Sequence, residues 1–99
     1  PFMDGVFDLI EAGIAPGGSY RNLSSAEAYT AFNDGLYEHA PILLADAQTS
    51  GGLLISVESD KTADLLSELE ASGVETRAVI GDIVDRAELD DGVQIEVQA

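Results

Sequence analysis

The sequence predicts an α+β domain: a mixed, mostly antiparallel four-stranded sheet with helices on one face. Three observations predict it. Apolar residues recur at helical spacing in residues 3–12 and 60–72. Two short apolar runs, Ile42-Leu43-Leu44 and Leu53-Leu54-Ile55-Ser56-Val57, flank a small polar turn and read as strands. Val93, Ile95 and Val97 alternate with Gln94 and Glu96, the two-residue period of a half-buried strand. The resulting order, α-α-β-β-α-β-β, suits helices segregated to one side of a sheet.

Each element has its own signals. Met3, Val6, Phe7 and Ile10 follow i, i+3, i+4, i+7 spacing, and Asp4 and Asp8 suit the positive helix N-terminus. Gly13 reads as the C′ stop. Residues 13–22 read as a turn-rich loop. Ser24-Ser25-Ala26-Glu27 has capping-box spacing and predicts a helix to about Asn33, with Tyr29 and Phe32 inward. Strands are expected at 41–46 and 53–58. The 60–72 helix carries Ala63, Leu65, Leu66 and Leu69 on one side, with Ser59 as N-cap and Gly73 as C′ residue. A third strand is expected over 76–84, with a bulge at Gly81. Asp90-Asp91-Gly92 is a turn, and the strands either side of it are close enough to pair as a hairpin.

Composition narrows the function. The chain has 99 residues, enough for one small domain or a piece of one. Hydrophobic residues make up 45%, which argues against disorder. With no cysteine, a disulfide framework, a thiolate zinc site and a cysteine nucleophile are excluded. No apolar run approaches the ~18 residues of a membrane span, and no signal peptide precedes the first helix. A cytoplasmic location fits both. Nineteen acidic residues against four basic ones give a net charge of −15. That charge repels nucleic-acid phosphates and anionic lipid, so neither is an expected partner. A single lysine among so many carboxylates suggests adaptation to a salty cytoplasm, where screening shortens to ~3 Å at 1 M salt. An ordinary acidic domain is the alternative.

Two glycine-rich segments could carry chemistry. Gln48, Thr49, Ser50, Gly51 and Gly52 offer hydroxyls and consecutive N–H groups that can hold an anion. A plain strand connection is the favoured reading of these residues alone, because no P-loop lysine or Walker pattern is present. Gly17, Gly18 and Ser19 allow unusual backbone angles or close approach of another chain segment. Arg21 and Asn22 could orient an anion or carbonyl, or simply pair locally. Asp46 reads as a functional carboxylate or a turn initiator. His39, the lone histidine, reads as a surface residue beside Glu38. Asp82, Asp85, Glu88, Asp90 and Asp91 lack EF-hand spacing and read as a solvated face. No metal site is expected.

Asp46-Ala47-Gln48-Thr49-Ser50-Gly51-Gly52-Leu53-Leu54 resembles the D-P-Q-T-S-G-G-L-L signature of selenophosphate synthetases (selenide, water dikinases). Gly13-Ile14-Ala15-Pro16-Gly17-Gly18-Ser19-Tyr20-Arg21-Asn22 resembles that family's G-x-x-P-G-G-T-x-R-N segment, and Val79-Ile80-Gly81-Asp82-Ile83-Val84 its isoleucine-glycine element near the C-terminus. The matches fall in family order. Ala47 replaces a proline and Ser19 a threonine, and the hydroxyl is kept.

The resemblance implies a C-terminal domain of the aminoimidazole ribonucleotide synthetase-like fold, N-terminally truncated. The family makes selenophosphate from selenide, ATP and water, releasing AMP and orthophosphate. Its N-terminal domain carries the reactive cysteine or selenocysteine, the following lysine and the magnesium–ATP segments, and none of these is in this sequence. The family's D-V-T-G-F-G-L segment is missing too. The resemblance therefore implies a fragment without catalytic residues or cofactor of its own. Residues 17–19, 21, 22 and 48–52 would line one wall of the interdomain cleft. The expected partner is the missing N-terminal ATP-binding domain, with a homodimer also allowed. The alternative is a free-standing ligand-binding or interaction module of the same fold.

Overall fold

The structure is a computed structural model that describes residues 1–99. Its chain contacts group into two units: Asp4–Gly51 with Asp85–Ala99, and Pro1–Met3 with Gly52–Val84.

In the first unit, α1 spans Val6–Glu11. It ends as the sequence predicts. Gly13 takes φ 73°, its N–H donates to the Ile10 carbonyl at 2.9 Å, and the Ile14 N–H donates to the Leu9 carbonyl at 3.0 Å. That pair of bonds is a Schellman motif, and glycine is the residue that enters the left-handed region at least cost. Ile10 is buried, whereas Met3 and Phe7 are exposed.

The second helix, α2, spans Gly17–Ala26 rather than starting near Ser24. Pro16, with φ −62° and ψ 144°, sets its entry, and the Ser19 N–H donates to the Pro16 carbonyl at 2.9 Å. Ser24 lies inside the helix and does not cap it, and the neighbouring Ser25 Oγ donates to the Arg21 carbonyl at 3.1 Å, one turn back. Tertiary contacts of the first turn, described below, outweigh the low helix propensity of two glycines.

The expected four-stranded, mostly antiparallel sheet is not what forms. The sheet has two strands, β1 (Thr30–Phe32) and β2 (Ile95–Val97), and they run parallel. The register pairs Thr30 with Ile95, Ala31 with Glu96 and Phe32 with Val97. The predicted hairpin between 76–84 and 93–97 is therefore replaced by a long-range parallel pair. Tyr29 and Phe32, three residues apart, satisfied a helical reading, yet Tyr29, Thr30 and Phe32 are also strand formers. The ladder decides between them, and it lies far along the chain.

The expected strand at 41–46 is mostly helix: α3 spans Ala40–Leu44, with Pro41 in its first turn. Proline is pre-set for that position, and a three-residue apolar run does not distinguish strand from helix. Ile42 is buried on it. The Asp90–Gly92 turn forms as predicted: the Val93 N–H donates to the Asp90 carbonyl at 3.1 Å, with Gly92 at φ 86°.

The second unit holds α4 (Thr62–Ala71), preceded by a 3-10 turn at Ser59–Lys61. Ser59 lies inside that turn and caps nothing. Gly73 closes α4 with the same two-bond motif as Gly13: the Gly73 N–H donates to the Glu70 carbonyl and the Val74 N–H to the Leu69 carbonyl, both at 2.9 Å. The expected strands at 53–58 and 76–84 have no ladder partners. Neither segment forms a strand, and Gly81 is no bulge because there is no ladder to bulge. Leu53 is 91% exposed and Ile83 83%. Arg77 draws the chain back onto α4. Its Nη2 lies 2.7 Å from Glu70 Oε1, and its Nη1 donates to the Val74 carbonyl at 2.8 Å.

Candidate functional site

The first turn of α2 and residues 45–47 are tied together by side-chain hydrogen bonds. Ser19 is the one fully buried side chain in the molecule. Its Oγ donates to Asp46 Oδ1 at 2.8 Å and accepts from the Ala47 N–H at 3.1 Å. One turn further along α2, Asn22 Nδ2 donates to the Ala45 carbonyl at 3.1 Å. Three consecutive residues, Ala45, Asp46 and Ala47, are thus each bound to α2.

Glycine is required at one position of this contact. A Cβ on Gly18 would sit 2.9 Å from the Ala47 Cβ, closer than two carbons pack. Of the two uses a Gly17-Gly18 pair allows, the close approach is realised at Gly18. Unusual backbone angles are not: neither glycine has a positive φ. At Gly17 a Cβ would meet only Arg21 Nη1, at 3.8 Å, an ordinary contact. The Arg21 guanidinium therefore folds back over the glycine turn that opens α2. It makes no ion pair or hydrogen bond within the chain, despite the acidic composition.

Residues 48–51 follow as an exposed turn. Gln48 Oε1 lies near Gly51, 3.5 Å from where a Cβ would be. The side chains of Thr49 and Ser50 face solvent without a hydrogen bond inside the chain. None of residues 48–52 has a positive φ, so the alternating backbone of an anion nest is not formed in this structure. Gly52 begins the second unit. The structure thus joins Gly18, Ser19 and Asn22 to residues 45–47, places Arg21 over Gly17 in the same turn, and leaves Gln48–Gly51 as the projecting tip. A groove of about 350 Å³ adjoins the clasp, lined by residues that include Asn22, Tyr29, Leu44 and Asp46. Sequence reasoning did not single out Tyr29 or Leu44 for a site; both carry core-type side chains, and only the fold leaves them partly exposed.

The other candidates have local roles. His39 Nε2 lies 3.6 Å from Glu38 Oε1, and its ring meets Tyr37 edge-on at 5.4 Å. Partial desolvation raises the Tyr37 phenol above its ordinary pKa, helped by its hydrogen bond to Glu11 and by the charges of Glu11 and Glu38. Asp85 and Glu88 form a reciprocal cap: the Ala87 N–H donates to Asp85 Oδ1 at 2.9 Å, and the Asp85 N–H donates to Glu88 Oε1 at 3.0 Å. No three His, Asp or Glu side chains converge on a point that could hold a metal ion. No helix is long and apolar enough to cross a membrane.

Comparison with known proteins adds a separate line of information. No family model and no solved structure matches the chain. Curated relatives do. The chain is 42% identical over 83 residues to a selenide, water dikinase of Myxococcus xanthus, covering 84% of this chain and 23% of that protein. It is 35% identical over 86 residues to one of Aliarcobacter butzleri, covering 87% of this chain and 25% of the relative. A third, from Campylobacter jejuni, is 37% identical over 90 residues, covering 91% and 25%. The chain is homologous to these proteins and spans about a quarter of their length.

Proposed function

We propose that this chain is a C-terminal part of a selenide, water dikinase, an ATP-dependent phosphotransferase that makes selenophosphate and releases AMP and orthophosphate. The observation that carries the reading is homology along more than four-fifths of this chain to proteins of that name. In this reading residues 17–19, 21, 22 and 48–52 form one wall of a cleft whose other wall is the N-terminal ATP-binding domain. The exposed hydroxyls of Thr49 and Ser50 and the unpaired Arg21 guanidinium are the groups on that wall able to meet an anionic ligand. They would bind and orient, and no residue of the chain would form a covalent bond to substrate. Magnesium and ATP would be held by the remainder of the enzyme.

The exposed apolar residues of the second unit support the reading. Leu53, Leu54, Val79, Ile80 and Ile83 are more than half exposed, as expected of a segment that packs inside a larger protein. The test is AMP release from ATP with selenide under reducing conditions. The full-length gene product that contains this segment is expected to turn over, and the 99-residue chain to be silent. A full-length protein without selenide-dependent AMP release overturns the enzyme reading and favours a binding or interaction module. Turnover by the 99-residue chain overturns the assignment of chemistry to the other domain.

A further inference from the structure

We propose that Ser19 and Asp46 are positioning residues, whose hydrogen bond sets where the Gln48–Gly51 turn is presented beside the first turn of α2. The catalytic consequence rests on the reading of that turn as part of a cleft wall. The arrangement of the residues carries the inference. Asn22 holds the Ala45 carbonyl, and Ser19 holds both the Asp46 carboxylate and the Ala47 N–H. Gly18 lets the backbone of α2 approach Ala47 without a side chain between them. Immediately beyond Ala47 the anchoring ends, and residues 48–51 are exposed. A short exposed turn takes its position from the last residue fixed before it.

The hydroxyl of Ser19 is suited to that task and unsuited to ligand binding. It is fully buried, its hydrogen is given to Asp46, and it accepts from Ala47. Asp46 is likewise occupied at Oδ1. Ser19 therefore acts through the turn and does not itself touch a ligand, and Asp46 is the acceptor that fixes the Ser19 hydroxyl.

Amide hydrogen exchange followed by NMR on the 99-residue chain tests the position of the turn. Ser19→Ala should speed exchange at the Ala47 amide about tenfold, equivalent to losing one hydrogen bond of ~1.4 kcal/mol. The resonances of Gln48–Gly51 should move with it. Ser19→Thr, which keeps the hydroxyl, should restore both. The amides of Ile14 and Asn33, bonded to the Leu9 and Val97 carbonyls in the same unit, should keep their protection. Equal loss of protection at Ile14, Asn33 and Ala47 would show a merely structural role and overturn the proposal. Unmoved Gln48–Gly51 resonances would overturn it too. If Ser19→Ala does not fold, the same signals in Asp46→Ala, which removes the acceptor, decide. In the full-length enzyme, Ser19→Ala should lower kcat/KM with rescue by Ser19→Thr, and wild-type kinetics would overturn the catalytic consequence. A wild-type enzyme inactive toward selenide defeats the functional reading alone, since the exchange result stands without it.

Discussion

Gly18 lies so close to Ala47 that a methyl group on it would reach within 2.9 Å of the Ala47 Cβ. Gly17, its neighbour on the same helix turn, faces only the mobile end of the Arg21 side chain, at 3.8 Å. Adjacent glycines in one motif thus carry different constraints. Gly18 is fixed by packing, and Gly17 is not.

That difference is measurable. Gly18→Ala should destabilise the chain by about 1–3 kcal/mol, the usual cost of forcing an extra carbon into a filled contact. Gly17→Ala should be neutral or stabilising by up to about 1 kcal/mol, since alanine is the better helix former. Urea denaturation of the two variants checks it. Equal effects would mean that the approach of α2 to Ala47 is not tight in solution.

Glu96 gives a pH-dependent prediction. Its carboxylate accepts from Gln98 Nε2 and from Asn33 Nδ2, and these bonds hold its pKa below the ordinary value. A depressed folded-state pKa contributes stability above the unfolded-state pKa, and that contribution is lost as pH falls through the folded value. Asn33→Ala should therefore raise the Glu96 pKa and shift acid unfolding toward higher pH. Side-chain carboxyl NMR titration reads the first effect and circular dichroism the second. An unchanged Glu96 titration would show that the Asn33 contact is absent in solution. The same reasoning reverses for Tyr37, whose raised pKa contributes stability that is lost as pH rises through its folded value.

Ionic strength should stabilise the chain. Its net charge of −15 is offset by few internal ion pairs, with carboxylate partners for Lys61 and Arg77 among the cations and for His39 when protonated. Raising potassium chloride to ~1 M shortens the screening length to about 3 Å and weakens the self-repulsion. Thermal melts should move upward with salt. A constant midpoint would support an ordinary acidic domain over salt adaptation.

Exposed side chains in the second unit predict association. Leu53 and Ile83 are 91% and 83% exposed, and the segments around them form no sheet pairing. Apolar patches of this kind recruit other chains. Light scattering of the isolated chain should show a mass that grows with concentration. Leu53→Asp with Ile83→Asp should reduce that growth. A strict monomer at every concentration would contradict the expectation.

What the sequence made legible was local. Gly13 and Gly73 end helices as read, because a Schellman stop needs only one residue able to take positive φ and the carbonyls just before it. The Asp90–Gly92 turn was legible for the same reason. The start of α2 was not, because it depends on Ser19 meeting Asp46, 27 residues away. The β1–β2 pairing was not, because a parallel ladder leaves no mark between its strands in sequence. At the candidate site, the nine residues from Asp46 to Leu54 pointed to the right relatives. The distinction between anchors and tip emerged only from the contacts: Ser19 and Asp46 are bonded to each other, whereas Thr49 and Ser50 are exposed without a hydrogen bond to the fold.

That distinction yields the sharpest prediction for the turn. Thr49 and Ser50 contribute no hydrogen bond to the fold, and both are solvent-exposed. Thr49→Val and Ser50→Ala should each change the stability of this chain by less than about 0.5 kcal/mol, the range of ordinary surface substitutions. In the full-length enzyme the same variants should lower turnover, since a hydroxyl that meets a ligand has no substitute in valine or alanine. Thr49→Ser, which keeps the donor, should restore part of the loss. Denaturation of the chain and steady-state kinetics of the enzyme give the two halves of the comparison. Normal kinetics in both variants would remove Thr49 and Ser50 from the site. Strong destabilisation of the chain would instead show that their hydroxyls hold the turn together, as the Ser19 hydroxyl holds its base.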